Sequence, residues 1–476
     1  MKRFSVSLCI LLTVFLFSPV LAQDAPLSEP QPTTDQEVGV NNPIKLTISA
    51  TAPGSDLPTV TGPLTMDQAV ESGLKNNLDY KQTLLDTEMS KLNSRAALAR
   101  FGPSISLSTF YSTSSLNQML FYPNDGAVVS APPMQPIVRG SSFSTIVAGV
   151  QPLFTGGYLR GNYRAAKSSE RQSLAKYQQS RIDIARTIKQ AYLQCAWNRA
   201  RLQVDTDYVK FRTLSTSNMH QRMVDGKAPR ADFLREEAEL AQAKAQVNRD
   251  YRDFNVSIIN LKAAMGANLS SLIDVSEGLN YTENQKDLNG YLNAAGTNRP
   301  EIRQAQSKVE EMKARKLIAR SQYLPHVDLY GLGSNITGTS PDGTAEGKFG
   351  GFVSVIGHYT LYDSGQRSAQ LRSAHKAITQ SGYALQQTKL KVAQEVSTAW
   401  IDLDLTGRNV DLAKSQVVSA EEDFRLIKTR YNIGKSTALE QFDAAVKLYR
   451  ARLALTESIY NYRLAQTQIV WASGDI

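Results

Sequence analysis

The sequence predicts a mainly α-helical chain built as a twofold internal repeat of helix, strand, strand, long helix and helix. Its strands are expected to form part of a membrane β-barrel, and its long helices a tube continuing from that barrel. Three observations predict this. From Asn162 to Asp225 there is neither glycine nor proline, so every backbone N–H can serve one helix of about 95 Å, several times the width of a globular domain. Ahead of this stretch, at Gly102-Pro103, the apolar period changes from 3.6 to 2, the change from helix to strand. The whole pattern then recurs in the second half of the chain.

The long stretch carries Ile184, Ile188, Ala191, Cys195, Leu202 and Val209 at steps of three, four and seven. That is a coiled-coil seam, and a helix so long needs partners along its length. Cys195 falls on the seam and reads as a small core residue. The only other cysteine, Cys9, lies in an N-terminal leader of Lys2 and Arg3, an apolar run from Val6 to Phe17, and Ser18-Pro19-Val20-Leu21-Ala22. Residues 1–22 read as a secretory signal peptide cut after Ala22, the apolar run being too short to span a bilayer. No other run approaches spanning length. The mature chain then has no internal disulfide and no cysteine at the cut for a lipid anchor.

Residues 23–63, rich in Pro, Thr, Asp and Gly, are expected to be an extended or disordered segment. Repeat 1 is assigned to 64–270. Thr65 with Gln68 suits a capping box, and the helix is interrupted near Asn76-Asn77 and ended by Gly102-Pro103. Strands follow near 103–114 and 142–155, separated by a loop with Pro123, Pro132, Pro133 and Pro136. The long helix stops at Gly226, and Pro229 can open the helix that runs back to Gly266.

Repeat 2, 271–476, matches with a tight register. An offset of 222 pairs Asp79 with Glu301, Pro103 with Pro325 and Leu107 with Leu329. After the first strand the offset becomes 208, pairing Leu153 with Leu361, Gly157 with Gly365, Gly226 with Gly434 and Gly266 with Gly474. The seam maps to Val392, Val396, Ala399, Leu403, Val410 and Val417. The change falls between two strands, so a loop absorbs it while helix length is held. Strands are expected near 324–334 and 349–363.

Four strands cannot close into a barrel, and open edges are costly in lipid. Either they form a soluble sheet with one wet face, or several chains share one barrel. Thr145, Val147 and Leu153 share one face, as do Val353, Val355, Tyr359 and Leu361. Ser144, Ala148, Ser354, His358 and Thr360 are on the others. Apolar-out and polar-in suits a water-filled membrane barrel, but a soluble sheet gives the same alternation. The leader and the need for closure favour the membrane.

The formal charge of +9 is spread over the helices and reads as solvated faces, with no nucleic-acid footprint. His220, His326, His358 and His375 lack metal-ligand spacing. No Ser/His/Asp or Cys/His arrangement and no phosphate loop appears, so no enzyme, cofactor or metal site is expected.

Several motifs resemble the TolC-like outer-membrane efflux family. They are Leu64-Thr65-Met66-Asp67-Gln68-Ala69 with Asn76-Asn77, Arg299-Pro300-Glu301-Ile302, Gln151-Pro152-Leu153-Phe154-Thr155-Gly156-Gly157 and Leu361-Tyr362-Asp363-Ser364-Gly365. The turns Val224-Asp225-Gly226 and Asn432-Ile433-Gly434 complete the set. The resemblance spans about 64–474. It implies a homotrimer in the outer membrane of a Gram-negative type of cell, with a 12-stranded β-barrel continued by a periplasmic α-helical barrel. It implies a passive exit duct of a tripartite efflux or type I secretion system. The partners implied are outer-membrane lipid, a periplasmic adaptor (membrane fusion) protein and an inner-membrane pump of RND, ABC or MFS type.

The resemblance also places an acidic aperture ring on Asp232, Glu440 and Asp443, where Glu440 replaces the family's usual aspartate. Charged rings of this kind favour cations. Acids in the first turn of a helix also favour its dipole without any ring. Adaptor contacts fall on the turns Gly226, Lys227, Gly434 and Lys435, which equally serve as helix caps. The competing reading, a periplasmic coiled-coil adaptor or structural protein, calls for one hairpin between small β-domains rather than two copies with strand pairs.

Overall fold

The computed structural model describes residues 56–114, 140–283, 287–339 and 345–475. The expected signal peptide and most of the 23–63 segment lie outside the described residues. The end of that segment is not free. Strand β1 (Gly62–Leu64) pairs in parallel with β4 (Ile273–Val275).

The repeat is seen in the element lengths. Helices α1 (Met66–Asn76) and α2 (Leu78–Ala99) match α5 (Leu288–Asn298) and α6 (Pro300–Ser321), at 11 and 22 residues each. The long helices α3 (Tyr158–Val224) and α7 (Gln366–Asn432) have 67 residues each, roughly 100 Å at 1.5 Å per residue. Their return helices α4 (Arg230–Met265) and α8 (Ala438–Ser473) have 36 each. The capping box forms: Thr65 Oγ1 accepts from Gln68 N, and Gln68 Oε1 accepts from Thr65 N. Asn77 caps α2 by accepting from Tyr80 N at 3.1 Å, which is why the helix breaks there.

Strands β2 (Ser104–Ser114), β3 (Gly140–Phe154), β5 (His326–Thr339) and β6 (Ala345–His358) form one antiparallel sheet in the order β2-β3-β5-β6. The first three strands start within about two residues of expectation, the fourth starts earlier, at Ala345, and the ends of the last two differ. The second hairpin is longer at its tip, pairing out to Thr339 and Ala345. The last strand, expected to reach 363, stops at His358. Beyond it Arg367 donates to Thr360 O at 2.8 Å and to Leu361 O at 3.4 Å. Carbonyls expected to join the ladder are taken by a side chain, and Tyr359 and Leu361 fall outside the strand. One face presents Ile105, Leu107, Phe143, Val147, Val353 and Val355 to the outside, all exposed. The other holds Ser144 and Ser334 buried, as expected of a small polar lining. It also holds Ile146, buried, with Phe352 and Ile356 at matching positions, so the inner face is mixed rather than polar.

The three layers share one arrangement. In the upper half α2 packs on α3, α3 on α6 and α6 on α7. In the lower half α4 packs on α3, α3 on α8 and α8 on α7. Each layer is an open row, first repeat beside second, like the sheet. The seam is buried as expected at Ile188, Cys195 and Leu202, and at Val392, Val396, Ala399, Leu403 and Val410. Burial pushes the Cys195 thiol up to about 12, which fits a packing role.

A second pattern joins the repeats. Trp471 Nε1 donates to Asp183 at 2.7 Å, Tyr460 OH to Gln194 at 2.5 Å and Tyr449 OH to Asp205 at 2.6 Å. The acceptors on α3 and the aromatic donors on α8 both step by 11 residues. An 11-residue period is 3.67 per turn, close to a straight helix, whereas a seven-residue seam imposes a left-handed supercoil.

Leu403→Ala removes a buried side chain from the second seam, whose core it shares with Val396, Val410 and Tyr462. A loss of about 2–5 kcal/mol is expected, read as a lower denaturation midpoint. Leu412→Ala, at an exposed position of the same helix, is expected to leave the stability of the isolated chain within about 0.5 kcal/mol.

Candidate functional site

The tips of the two long hairpins carry the residues expected at the aperture and at the adaptor contacts. Both turns are built alike. Gly226 N donates to Met223 O and Lys227 N to Arg222 O, at 3.0 and 2.8 Å. Gly434 N donates to Tyr431 O and Lys435 N to Arg430 O at the same distances. This is the Schellman closure, in which the glycine must be left-handed, and φ is +68° at Gly226 and +71° at Gly434. The amides of all four residues are therefore used within the turns. What the turns offer outward is the exposed side chains of Lys227 and Lys435 and a smooth glycine surface.

Asp232, Glu440 and Asp443 are all exposed, each in the first turns of a return helix. Glu440 is the N3 residue of a capping box. Thr437 Oγ1 accepts from Glu440 N at 3.2 Å, and the Glu440 carboxylate accepts from Thr437 N at 3.1 Å and from the Ser436 hydroxyl. These bonds, the Ser436 hydroxyl foremost, hold its carboxyl below the usual range. Helix-cap chemistry thus does account for Glu440. Asp443, one turn on, has no part in the cap. It borders a cleft of about 430 Å³ between α4 and α8 that is also lined by Arg235, Glu236, Arg249 and Arg450. Where repeat 2 has Asp443, repeat 1 has Arg235.

Sequence reasoning missed what links and fills the hairpins. Arg222 donates to the hydroxyl of Tyr431 and lies over its ring, tying the two tips together. Arg212, buried, bonds Glu236, also buried, at 3.1 Å and Glu239 at 3.3 Å. Burial raises the Glu236 carboxyl, against the pull of Arg212. Further up, Arg201 bonds the wholly buried Asp250 at 2.5 Å and Asp253 at 2.9 Å. Asp205 neighbours Asp250, and burial together with that second carboxyl pushes its own up to about 7. A period-3.6 reading looks for apolar positions, and these are charged. The signal available was their mismatch with repeat 2. At the 208 offset Asp205, Arg212 and Glu236 meet Ala413, Ala420 and Ala444.

Among the described residues no three His, Cys, Asp or Glu side chains gather as a metal site would require. No described helix is long and apolar enough to cross a membrane.

Known proteins share this architecture. The chain is 22% identical over 444 residues to nodulation protein T of Rhizobium leguminosarum bv. trifolii, covering 92% of this chain and 90% of that one. A membrane protein from Pseudomonas aeruginosa superposes with a TM-score of 0.73 at 20% identity, over 86% of this chain and 92% of that one. The outer membrane protein VceC from Vibrio cholerae superposes with a TM-score of 0.72 at 17% identity, over 86% and 96%. At these identities the structural likeness establishes the fold. The family relation comes from the profile described as outer membrane efflux protein, which matches residues 67–267 and 291–475. Both repeats are included, and on that match the chain belongs to the outer membrane efflux protein family.

Proposed function

We propose that three copies of this chain close into one channel of the outer membrane, a passive exit duct for efflux whose energy comes from an inner-membrane pump joined through a periplasmic adaptor. The observation that carries this reading is the open row in every layer. Within one chain, repeat 1 meets repeat 2 through α3 with α6, α3 with α8, and β3 with β5. The matching contacts of repeat 2 would be α7 with α2, α7 with α4, and β6 with β2, and these require the next copy. Because the repeats have equal helix lengths, the free edge of one copy has the shape to receive the free edge of another. Head-to-tail contacts of this kind close into rings.

The edges have the right chemistry. The free face of α2 exposes Leu78, Leu85, Met89 and Leu92, and that of α7 exposes Tyr383, Leu390, Leu405 and Leu412. Such apolar rows mark an interface rather than a water-facing surface. Three such four-stranded sheets would make a 12-stranded barrel, which would leave no unpaired edge in lipid. A family match over both repeats does not favour the single-hairpin adaptor. Asp232, Glu440 and Asp443 from three chains would ring the periplasmic aperture, and the lysine turns would meet the adaptor. Efflux and type I secretion use the same duct, and the pump decides between them.

Transferring the 11-residue pattern to the interface gives a specific contact. The middle bond, Gln194 with Tyr460, maps at offset 208 onto Asp402 of one copy and Arg252 of the next. Both are exposed. Arg252→Asp is expected to weaken the oligomer, by on the order of 1 kcal/mol per interface, seen as dissociation at a lower temperature. Adding Asp402→Arg should restore it. Failure of the second change to restore would remove this pairing.

Glu440→Gln keeps the cap, since glutamine serves at N3 as glutamate does, and Asp443 takes no part in it. The double variant Glu440→Gln, Asp443→Asn should therefore fold. In planar bilayers it is expected to conduct more and to need about tenfold more divalent cation for block, a change of ~1.4 kcal/mol. Unchanged conductance and block would remove the ring assignment.

A further inference from the structure

The first hairpin holds buried charges where the second holds small side chains. Arg201, Asp205 and Asp250 meet Asn409, Ala413 and Ser458 at the 208 offset. The second hairpin packs without such charges, so helix packing alone does not demand them in the first.

We propose that Asp205 and Asp250 form a buried site that shares a single proton, and that this proton fastens the first hairpin to α8. Asp250 is wholly buried. Its Oδ1 accepts from Gln246 at 3.0 Å and from Arg201 at 2.5 Å, while Oδ2 is buried without a donor. Asp205 is 3% exposed and accepts from Tyr449 through Oδ1. Two carboxylates can hydrogen-bond each other only with a proton between them. A proton on Asp205 supplies Asp250 Oδ2 with its missing donor and leaves the Tyr449 bond in place. One proton thus completes a path from α4 through α3 to α8.

The surrounding charges agree. On α3, Arg201 is committed to Asp250 and Asp253, and Arg212 to Glu236 and Glu239. On α4, Arg249 is held by Gln246. On α8, Tyr449 donates to Asp205, and Arg450 lines the same cleft that Asp205 borders, with Arg235 and Arg249 of α4. Tyr208 stacks on Tyr449 at 4.1 Å beside the site. Loss of the proton sets a second negative charge against buried Asp250, so the α3–α8 contact weakens. The folded chain then holds a proton that the unfolded chain gives up near the ordinary carboxylate range. The site's stabilisation therefore falls as pH rises from that range to about 7 and is flat above it.

Infrared titration of the full-length protein in detergent reads the proton directly. The wild type is expected to show a protonated carboxylic-acid band that disappears between about pH 6 and 8, and Asp205→Asn to lack it. Tyr449→Phe removes a donor that favours the ionised form, so the band should disappear at higher pH. Absence of a band titrating near neutrality in the wild type, or its persistence in Asp205→Asn, would overturn the site. The coupling is read by conductance, which should rise from about pH 6 to 8 in the wild type and stay level in Asp205→Asn. An identical rise in both overturns the fastening role. This arm alone rests on the duct reading: no conductance in any variant would fail that reading, while the infrared result still decides the proton site.

Discussion

The architecture depends on one constraint: backbone N–H and C=O groups cannot be left unpaired in lipid. One chain contributes a sheet with two free edges, β2 and β6, and cannot satisfy this alone. The same incompleteness runs down the whole length, because the helical rows below the sheet are open at corresponding edges. Equal helix lengths in the two repeats follow from this. A helix one turn longer on one side would misalign every contact below it around a closed ring. The offset changes from 222 to 208 between the two strands of the hairpins, where no helix is lengthened.

Two periods coexist on the long helices because they serve different partners. The heptad seam buries Ile188, Cys195 and Leu202. The 11-residue pattern joins α3 to α8 through Asp183, Gln194 and Asp205. A period of 3.67 per turn lies on the other side of the straight helix from the heptad's 3.5, so the two patterns favour opposite senses of winding and oppose each other where repeat meets repeat. Directional bonds from Trp and Tyr also fix the axial register, which apolar contacts alone leave free to slide.

Most of the fold was legible in the sequence because its signals are local. Glycine and proline mark the ends of helices, as at Gly226 and Gly266, and the period change at Gly102-Pro103 marks the start of a strand. The repeat supplied a second reading of each element. What escaped was non-local. Pairing of Gly62–Leu64 with Ile273–Val275 joins segments that flank repeat 1 on either side, and neither has a pattern of its own. The early end of β6 depends on where the Arg367 side chain folds back. The buried Asp, Arg and Glu of the first hairpin read as solvated residues, since charge on a helix is ordinarily at its surface. At the tip, the positions of Glu440 and Asp443 were legible, and Thr437 three residues before Glu440 is the same capping-box signature as Thr65 with Gln68, although it was not read as one.

That cap bears on what the tip can do. A capping glutamate is tied at its carboxylate, so its charge sits at a fixed place beside the helix N-terminus rather than on a mobile side chain. Aspartate at the same position is one methylene shorter and reaches back to the Thr437 amide less readily. Glutamate here therefore locks the turn Gly434–Thr437 to the first turn of α8. Asp443 takes no part in the cap and borders the cleft that Arg235 also lines. Glu440 thus fixes the turn, while Asp443 leaves its carboxylate at the edge of that cleft. Repeat 1 carries Arg235 at the position of Asp443, so the two hairpins of one chain differ in charge at this level, which two identical acidic hairpins would not.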